Sequence, residues 1–337
     1  MPVPEGKSPM QQRPLILRVL TRRELGPFIL LVAEIIIFGS IRPQFLSALN
    51  IGNALDFTVE LGLMALGMTL LMTSGEFDLS VGSVFGFSAV LMWTLKNSGA
   101  TSLLVGFFIA MAVAALIGMI NGWFVSKLKI TSFLVTLGML LVLRGAALFL
   151  TDGFPQRTWS AEGSGLANFL VGEIHLGKLH VYASLFWFVG LAIVLGFVLT
   201  MTKMGNWIQA SGGNASAARA RGVNVGRTKT GLFVLTSMTS ALAGIISSIR
   251  TTSANPNSGT GYELEIIAMV VIGGTALSGG RGTIIGTVIG VLILRLMRNG
   301  IVMVGVPGLA YNIFIGAIIL AMVGLHATLE RRRSAEG

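Results

Sequence analysis

Four ionisable side chains, Glu34, Asp56, Glu60 and Arg144, stand inside long apolar stretches of this chain. Near the centre of a bilayer each would cost about 2.5–3.5 kcal/mol unless paired or hydrated. Asp56 and Glu60 are four residues apart and so share one helix face. Such a pair could bind a coupling proton or cation, line a water-filled vestibule, or pair with a neighbour such as Arg42 or Arg144; without a second acidic cluster to complete a proton relay, the last two readings are preferred. Other chemistry is sparse. The chain has no cysteine, which excludes disulfides, thiolate metal sites and a cysteine nucleophile. His175, His180 and His326 lack ligand spacing, so no metal site is expected. No nucleophile–base constellation marks an enzyme, and no cofactor is expected. The Gly-Lys-Ser at Gly6–Ser8 would need its first glycine at Met1, and the glycine-rich stretch Gly279–Thr283 lacks the lysine. A phosphate-cradling ATP loop is therefore not expected in this chain.

The elements that must position these groups are membrane spans. Of 337 residues, 53% are hydrophobic and only 11% charged, against roughly 25% charged in a soluble domain. No charge falls between Lys96 and Lys127, between Lys178 and Lys203, or between Arg298 and Glu330, and a crossing needs about 20 apolar residues. The expected fold is all-α and polytopic, with about ten helices near residues 26–41, 53–74, 79–95, 101–125, 130–150, 179–202, 229–250, 263–279, 282–298 and 308–326.

Ten spans put both termini and every second loop on one side. That side collects Lys7, Arg13, Arg18, Arg22, Arg23, Lys127, Lys129, Lys203, Arg219, Arg221, Arg227, Lys229, Arg281, Arg331, Arg332 and Arg333. The other side has Arg42, Lys96, Arg157, Lys178 and Arg250. Basic residues stay inside, so the first side is read as cytoplasmic. The net charge of +10 is thus topological, and no nucleic-acid partner is expected. The Thr21–Leu25 segment loosely matches a twin-arginine signal, but Arg42 and Pro43 stand where a small-x-small cleavage site would be needed, so it is read as a positive flank. The organisation expected is a cytoplasmic tail over 1–24, a membrane domain over 25–328 with a cytoplasmic loop at 203–228 and a periplasmic loop at 151–178, and a cytoplasmic tail over 329–337.

Small residues at four-residue spacing, Gly82/Gly86, Gly118/Gly122, Gly282/Gly286/Gly290 and Thr236/Ser240/Gly244/Ser248, let helix backbones approach and predict a compact bundle. Residues 74–86 and 273–286 share a Leu-Ser-x-Gly turn, a hint of the internal duplication common in transporters. In the 203–228 loop, Asn214 suits an N-cap, Ala215 to Arg221 are helix formers and Gly222 suits the left-handed stop. Arg219 and Arg221 complement the dipole at its end. Such a short helix is either a basic headgroup-level helix or a handle for a partner protein.

"GGNASAARARGVNV" resembles the coupling-helix motif of sugar-type ABC importer permeases, the ribose/xylose/galactose group. "GMTLLMTSGEFDLSVGSV" (67–84), "KITSFLVTLGMLLVLRGAA" (129–147) and "GYELEIIAMVVIGGTALSGGRGT" (261–283) are similar to three further segments of that family, in order. The family usually has Gly-Ile before the aspartate, where this chain has Glu76-Phe77. The resemblance implies an ABC permease fold in a bacterial inner membrane, working with a separate ABC ATPase, a periplasmic sugar-binding protein and a second permease subunit. It assigns ATPase coupling to Gly213, Asn214, Ala217, Ala218, Arg219, Arg221 and Gly222. The motif turns hold Glu76, Asp78, Leu79, Ser80, Gly82, Gly273, Gly274, Gly279, Gly280 and Gly282. Polar groups expected along a translocation path are Asn121, Thr136, Arg144, Asn299, Tyr311 and Asn312. Docking contacts for the binding protein are expected at Arg157, Trp159, Tyr262 and Glu263. The rival readings are a branched-chain amino acid ABC permease and a proton-coupled secondary transporter.

Overall fold

The computed structural model describes residues 24–158 and 164–311, with isolated positions as far as 320. Trp159, Asn312, both tails and most of the tenth expected span lie outside the described residues. Twelve α-helices are described: α1 (Leu25–Ile41), α2 (Ala48–Thr73), α3 (Val81–Asn97), α4 (Leu103–Lys127), α5 (Ser132–Leu150), α6 (Gly165–Val171), α7 (Ala183–Met201), α8 (Lys203–Gly213), α9 (Ala215–Ala220), α10 (Val225–Arg250), α11 (Tyr262–Ile272) and α12 (Ile284–Met303). Six of them, α2, α4, α5, α7, α10 and α12, are long and apolar enough to cross a membrane, and α1 is a shorter apolar helix. The chain is a multi-pass membrane protein.

Helix starts follow the polar punctuation of the sequence. Ser47, Ser102, Thr202, Asn224 and Thr283 each accept a hydrogen bond from a first-turn amide of the helix they open, satisfying donors that have no partner within the helix. α2 and α10 form the interior: 89% of the apolar window of α2 is buried, against 17% for α5. α10 packs along α4, α2 and α3. Its small-residue stripe is the reason, since a Cβ on Gly244 would strike the carbonyl of Phe85 and one on Gly118 of α4 would strike that of Phe233. α4, α5 and α7 keep broad apolar faces exposed, including Phe108, Leu141 and Ile193, as helices facing lipid or a partner do.

The bundle has two distinct ends. At one, Asn50 of α2 meets Asn299 of α12 through hydrogen bonds of 2.9 and 3.1 Å. A hairpin of β2 (Glu173–Leu176) and β3 (Leu179–Tyr182) packs there on α2, and β1 (Gln156–Arg157) pairs antiparallel with β4 (Ser253–Ala254). At the other end Thr73 meets Gly280, and α8 and α9 lie across the chain's turns. Lys127, Lys129, Lys203, Arg219, Arg221, Arg227, Lys229 and Arg281 belong to the loops and helix ends of this second, basic end.

Two expected spans differ in detail. The helix of the sixth expected span, 179–202, begins at Ala183, because residues 179–182 form β3. The expected helix 263–279 is only eleven residues long, α11, or about 16 Å at 1.5 Å per residue, half of a ~30 Å hydrocarbon layer. Gly274, Gly279 and Gly280 all have positive φ, a conformation that ends a helix and that other residues rarely adopt. On the other flank residues 255–261 fold back along α3 instead of lying on an outer loop: a Cβ on Gly82 would strike the carbonyl of Gly259, and one on Gly86 would lie 2.7 Å from that of Ser258. Irregular backbone at membrane depth is tolerated where it is buried in protein or lines a cavity.

Candidate functional site

The elbow between α8 and α9 organises the basic end. Gly213 closes α8, and Asn214 has extended backbone, φ −154°. Its Oδ1 accepts hydrogen bonds from the Ala217 amide at 3.0 Å and the Ser216 hydroxyl at 2.7 Å, the N-cap expected from the sequence. Gly222 takes φ +84°, and the Val223 amide closes back on the Ala218 carbonyl at 3.0 Å. Ala218 is buried while Ala217, Arg219 and Arg221 face outward, so α9 offers a small, basic, rigid surface.

Two turns that resemble each other in sequence meet at this elbow. Gly75 and Gly279 both have positive φ, and a Cβ on Gly279 would lie 2.7 Å from the Cα of Gly75. A Cβ on Gly280 would lie 2.8 Å from the Cα of Gly213, and one on Gly212 would be 2.5 Å from the Gly280 amide. The Gly280 N–H donates to the Thr73 carbonyl at 2.8 Å, while Gly282 packs on the Thr73 hydroxyl and Gly273 on Gly286. Three segments far apart in the chain therefore touch backbone to backbone. Movement of the elbow has no flexible side chain to be absorbed in.

The first turn is further fixed by polar contacts. Asp78 is fully buried; its Oδ1 accepts from the Ser80 amide at 2.7 Å and the Ser80 hydroxyl at 2.5 Å. The Leu79 amide donates to the Thr136 hydroxyl at 3.0 Å, and Asn121 donates to the Ser80 hydroxyl at 3.1 Å. Asn121 and Thr136, expected along a path, are thus fully buried supports of the turn. Burial pushes the Asp78 carboxyl up to about 6, against the opposing pull of the Ser80 and Asn121 donors. Glu76, the departure from the family pattern, forms a 2.6 Å ion pair with Lys229 near the start of α10.

Deeper in the bundle Arg144 of α5 donates to the carbonyls of Pro256 at 2.6 Å and Ser258 at 2.9 Å, satisfying backbone acceptors of the irregular segment. Tyr262 and Glu263, expected at an outer docking loop, lie beside this irregular segment. Tyr262 packs edge-on against Phe85 at 5.5 Å, and Glu263 lies beside Gly82. The physical reason is the left-handed backbone at Gly259 and Gly261, which turns the segment back into the bundle. Arg157 remains at the outer end, in β1, so these three are not brought together. Asn299 bonds Asn50, and Tyr311 is buried, its hydroxyl donating to Glu265 at 2.7 Å.

Two of the intramembrane carboxylates are met by neighbours, one of the preferred readings. Glu60 pairs with Arg250, and Asp56 accepts from the Tyr182 amide at 3.1 Å; neither pairs with Arg42 or Arg144. Both Glu34 oxygens are buried without a hydrogen-bond partner. Sequence reasoning passes over a second group, the buried pair of Glu265 with Arg295 at 3.7 Å and the exposed Arg298 stacked on Tyr311 at 5.0 Å. The signal was present, since Glu265, Arg295 and Arg298 fall within the expected spans 263–279 and 282–298.

A multi-pass helical bundle with broken helices, and with a short helix seated on two glycine turns at one end, defines a membrane transport subunit. A family profile described as "Branched-chain amino acid transport system / permease component" matches residues 50–323, and the chain belongs to that permease family. It is 36% identical over 303 residues to the ribose import permease of Escherichia coli, covering 90% of this chain and 92% of the relative. Identity is 38% over 318 residues to the ribose import permease of Bacillus subtilis, covering 93% and 94%. It is 34% over 318 residues to the galactose/methyl galactoside import permease of Escherichia coli, covering 90% and 94%. No solved structure matches the chain.

Proposed function

We propose that this chain is the membrane-spanning permease subunit of an ATP-driven importer that moves a simple sugar or sugar alcohol handed over by a periplasmic binding protein. One observation carries the mechanism: the α8–α9 elbow touches both glycine turns through backbone alone. In this reading a separate ABC ATPase grips α9 through Ala217, Arg219 and Arg221, with Asn214, Ala218 and Gly222 keeping the helix rigid. Its closure shifts Gly212 and Gly213, and with them the turns that anchor α2–α3 and α11–α12. Asp78, Leu79 and Ser80 carry the movement to α3, whose Gly82 and Gly86 hold the irregular segment at 255–261. Alternating access needs contacts that differ between two states, and a half-length helix beside irregular backbone is where transporters place their sites. Arg144, Tyr262 and Glu263 are therefore the groups assigned to the path, with Arg157 and Trp159 assigned to docking. Asn299, Tyr311 and Asn312 would complete the polar lining.

The surrounding topology is ten spans in a bacterial inner membrane, with both termini and the basic end in the cytoplasm and a second permease subunit alongside. The distribution of Lys and Arg supports it. Sugar as the cargo is supported by the ribose and galactose permeases the chain is similar to. The test is uptake into proteoliposomes containing the permease, its ATPase and its binding protein. ATP-dependent uptake of labelled ribose or galactose is expected. Gly222→Pro, which cannot adopt φ +84°, and Arg219→Glu are expected to leave ATP hydrolysis running with uptake lost. Uptake driven by a pH gradient without the ATPase, or uptake of leucine in place of sugar, would overturn the assignment.

A further inference from the structure

Beside α9 the basic end opens into a cleft of about 460 Å³. Arg219 of α9 and Lys229 of α10 line one side; Lys129, Thr131 and Ser132, at the start of α5, line the other, with Ser126 at the end of α4. Three cations face it against one carboxylate, Glu76, which is already held by Lys229. Lys129 and Arg219 make no ion pair among the described residues. Lys129 is also held at φ +59°, a conformation costly for a residue with a side chain and so one imposed by the turn that presents it. Thr131 opens α5 without capping it, leaving first-turn amides for an acceptor from outside. Ser132 is 95% buried, being 5% exposed, and is part of the cleft wall. A polar wall, uncapped helix amides and two cations without an ion pair around one space are complementary to a phosphate.

The apolar surface next to the cleft says what carries that phosphate. Ile130, Phe133, Leu134 and Leu137, in the same stretch of chain, are all exposed. A free anion would use none of them, whereas acyl chains hanging from a phosphate at the cleft would cover them. We infer that the cleft between α9 and the start of α5 is a binding site for the headgroup of an anionic phospholipid, with its chains lying along α5. The lipid then bridges α9, which packs on α8 and α10, to a transmembrane helix across the cleft, and anionic lipid stiffens the helix that receives the ATPase. This site does not depend on the identity of the transported solute.

The purified full-length chain is tested with phosphatidylglycerol, phosphatidylcholine and inorganic phosphate, reading retained lipid by native mass spectrometry and the thermal midpoint. Phosphatidylglycerol is expected to be retained and to raise the midpoint, and phosphatidylcholine to do neither. Lys129→Gln should weaken retention about fivefold, the size of one basic side chain at a headgroup. Ser132→Ala should weaken it without altering the midpoint of the lipid-free protein. Lys203→Gln, at the same end but outside the cleft, should change nothing. Equal retention of both lipids, or wild-type retention by both Lys129→Gln and Ser132→Ala, would overturn the site. A midpoint rise with inorganic phosphate equal to that with phosphatidylglycerol would overturn the lipid and leave a free-anion site. If Lys129→Gln does not fold, the Ser132→Ala result decides.

Discussion

The two ends of the bundle are held together by different physics. At the basic end Gly75, Gly212, Gly213, Gly279 and Gly280 bring three segments into backbone contact, with no side chain between them to repack. At the opposite end backbone contacts, Gly52 against the His180 carbonyl and β1 against β4, are joined by polar side chains: Glu60 with Arg250, Asp56 with the Tyr182 amide, Asn50 with Asn299. Backbone contact transmits displacement with little loss, because interiors are close-packed and stiff. Side-chain pairs can be exchanged for water or for a partner's groups. In the proposed importer, with a motor on one side and a docking protein on the other, the first end would receive motion and the second would change partners.

The largest effect is expected where the exchangeable end is broken. Glu60 and Arg250 are 6% and 9% exposed at their side chains, so Glu60→Gln leaves a buried guanidinium without its counter-charge. Removing one partner of a buried pair costs about 3–5 kcal/mol, and a lowered thermal midpoint is expected. The double variant Glu60→Met/Arg250→Met should recover most of the loss, since the pair itself contributes little net stability. A double variant as unstable as the single one would show that the charges do more than satisfy each other.

Asp78 tests the basic end by pH. Its carboxyl is raised from the ordinary 3.8 to about 6, so the folded protein prefers the protonated form. Its stabilising contribution is fully present below about 4 and is lost as pH rises through about 6, roughly 3 kcal/mol in all. Asp78→Asn keeps an acceptor for Ser80 and cannot ionise, so its thermal midpoint should show a flatter pH profile across that interval. An unchanged profile would place the titration elsewhere. Gly279→Ala comes next: the new methyl meets Gly75 at 2.7 Å in a left-handed backbone, and overpacking of this kind costs about 1–3 kcal/mol. Its signature should be uncoupling, with sugar uptake falling more than ATPase activity. Gly138→Ala, on α5 with nothing within 4 Å, is the matched control and should alter neither.

Much of this was legible in the sequence, and the reasons for the gaps are physical. The α9 helix, its Asn214 cap and its Gly222 stop are local chemistry, so residue types sufficed. The likeness of 74–86 to 273–286 was also legible, but not that the two turns touch, because that contact depends on how distant helices pack. That Asp56 and Glu60 meet neighbours was legible, but which neighbours was not, for the same reason. Arg250 is nearly 200 residues away in sequence and Tyr182 contributes only a backbone amide. The inward fold of 255–261 left a trace in Gly259 and Gly261, yet glycine in a loop is also the commonest mark of an ordinary turn, so its meaning needed the facing Gly82 and Gly86.

The smallest effect is expected at Glu76, and it sharpens the contrast between the ends most. Its ion pair with Lys229 is the side-chain link from the first turn to α10 at the basic end, with side chains 16% and 15% exposed. At that partial exposure the pair contributes about 1 kcal/mol or less, so Glu76→Gln should shift the midpoint little. Its site matters more than its strength, because the pair crosses from the turn beneath the elbow to the helix that follows α9, along the wall of the basic cleft. If backbone contact alone transmits the motor's stroke, Glu76→Gln leaves the ratio of uptake to ATP hydrolysis unchanged. If the pair acts as a second strut, the ratio falls, and Lys229→Gln lowers it equally with no further loss in the double variant. A fall that high salt reproduces in the wild type would mark it as electrostatic, and the basic end would then combine glycine contact with one exchangeable link of the kind found at the other end.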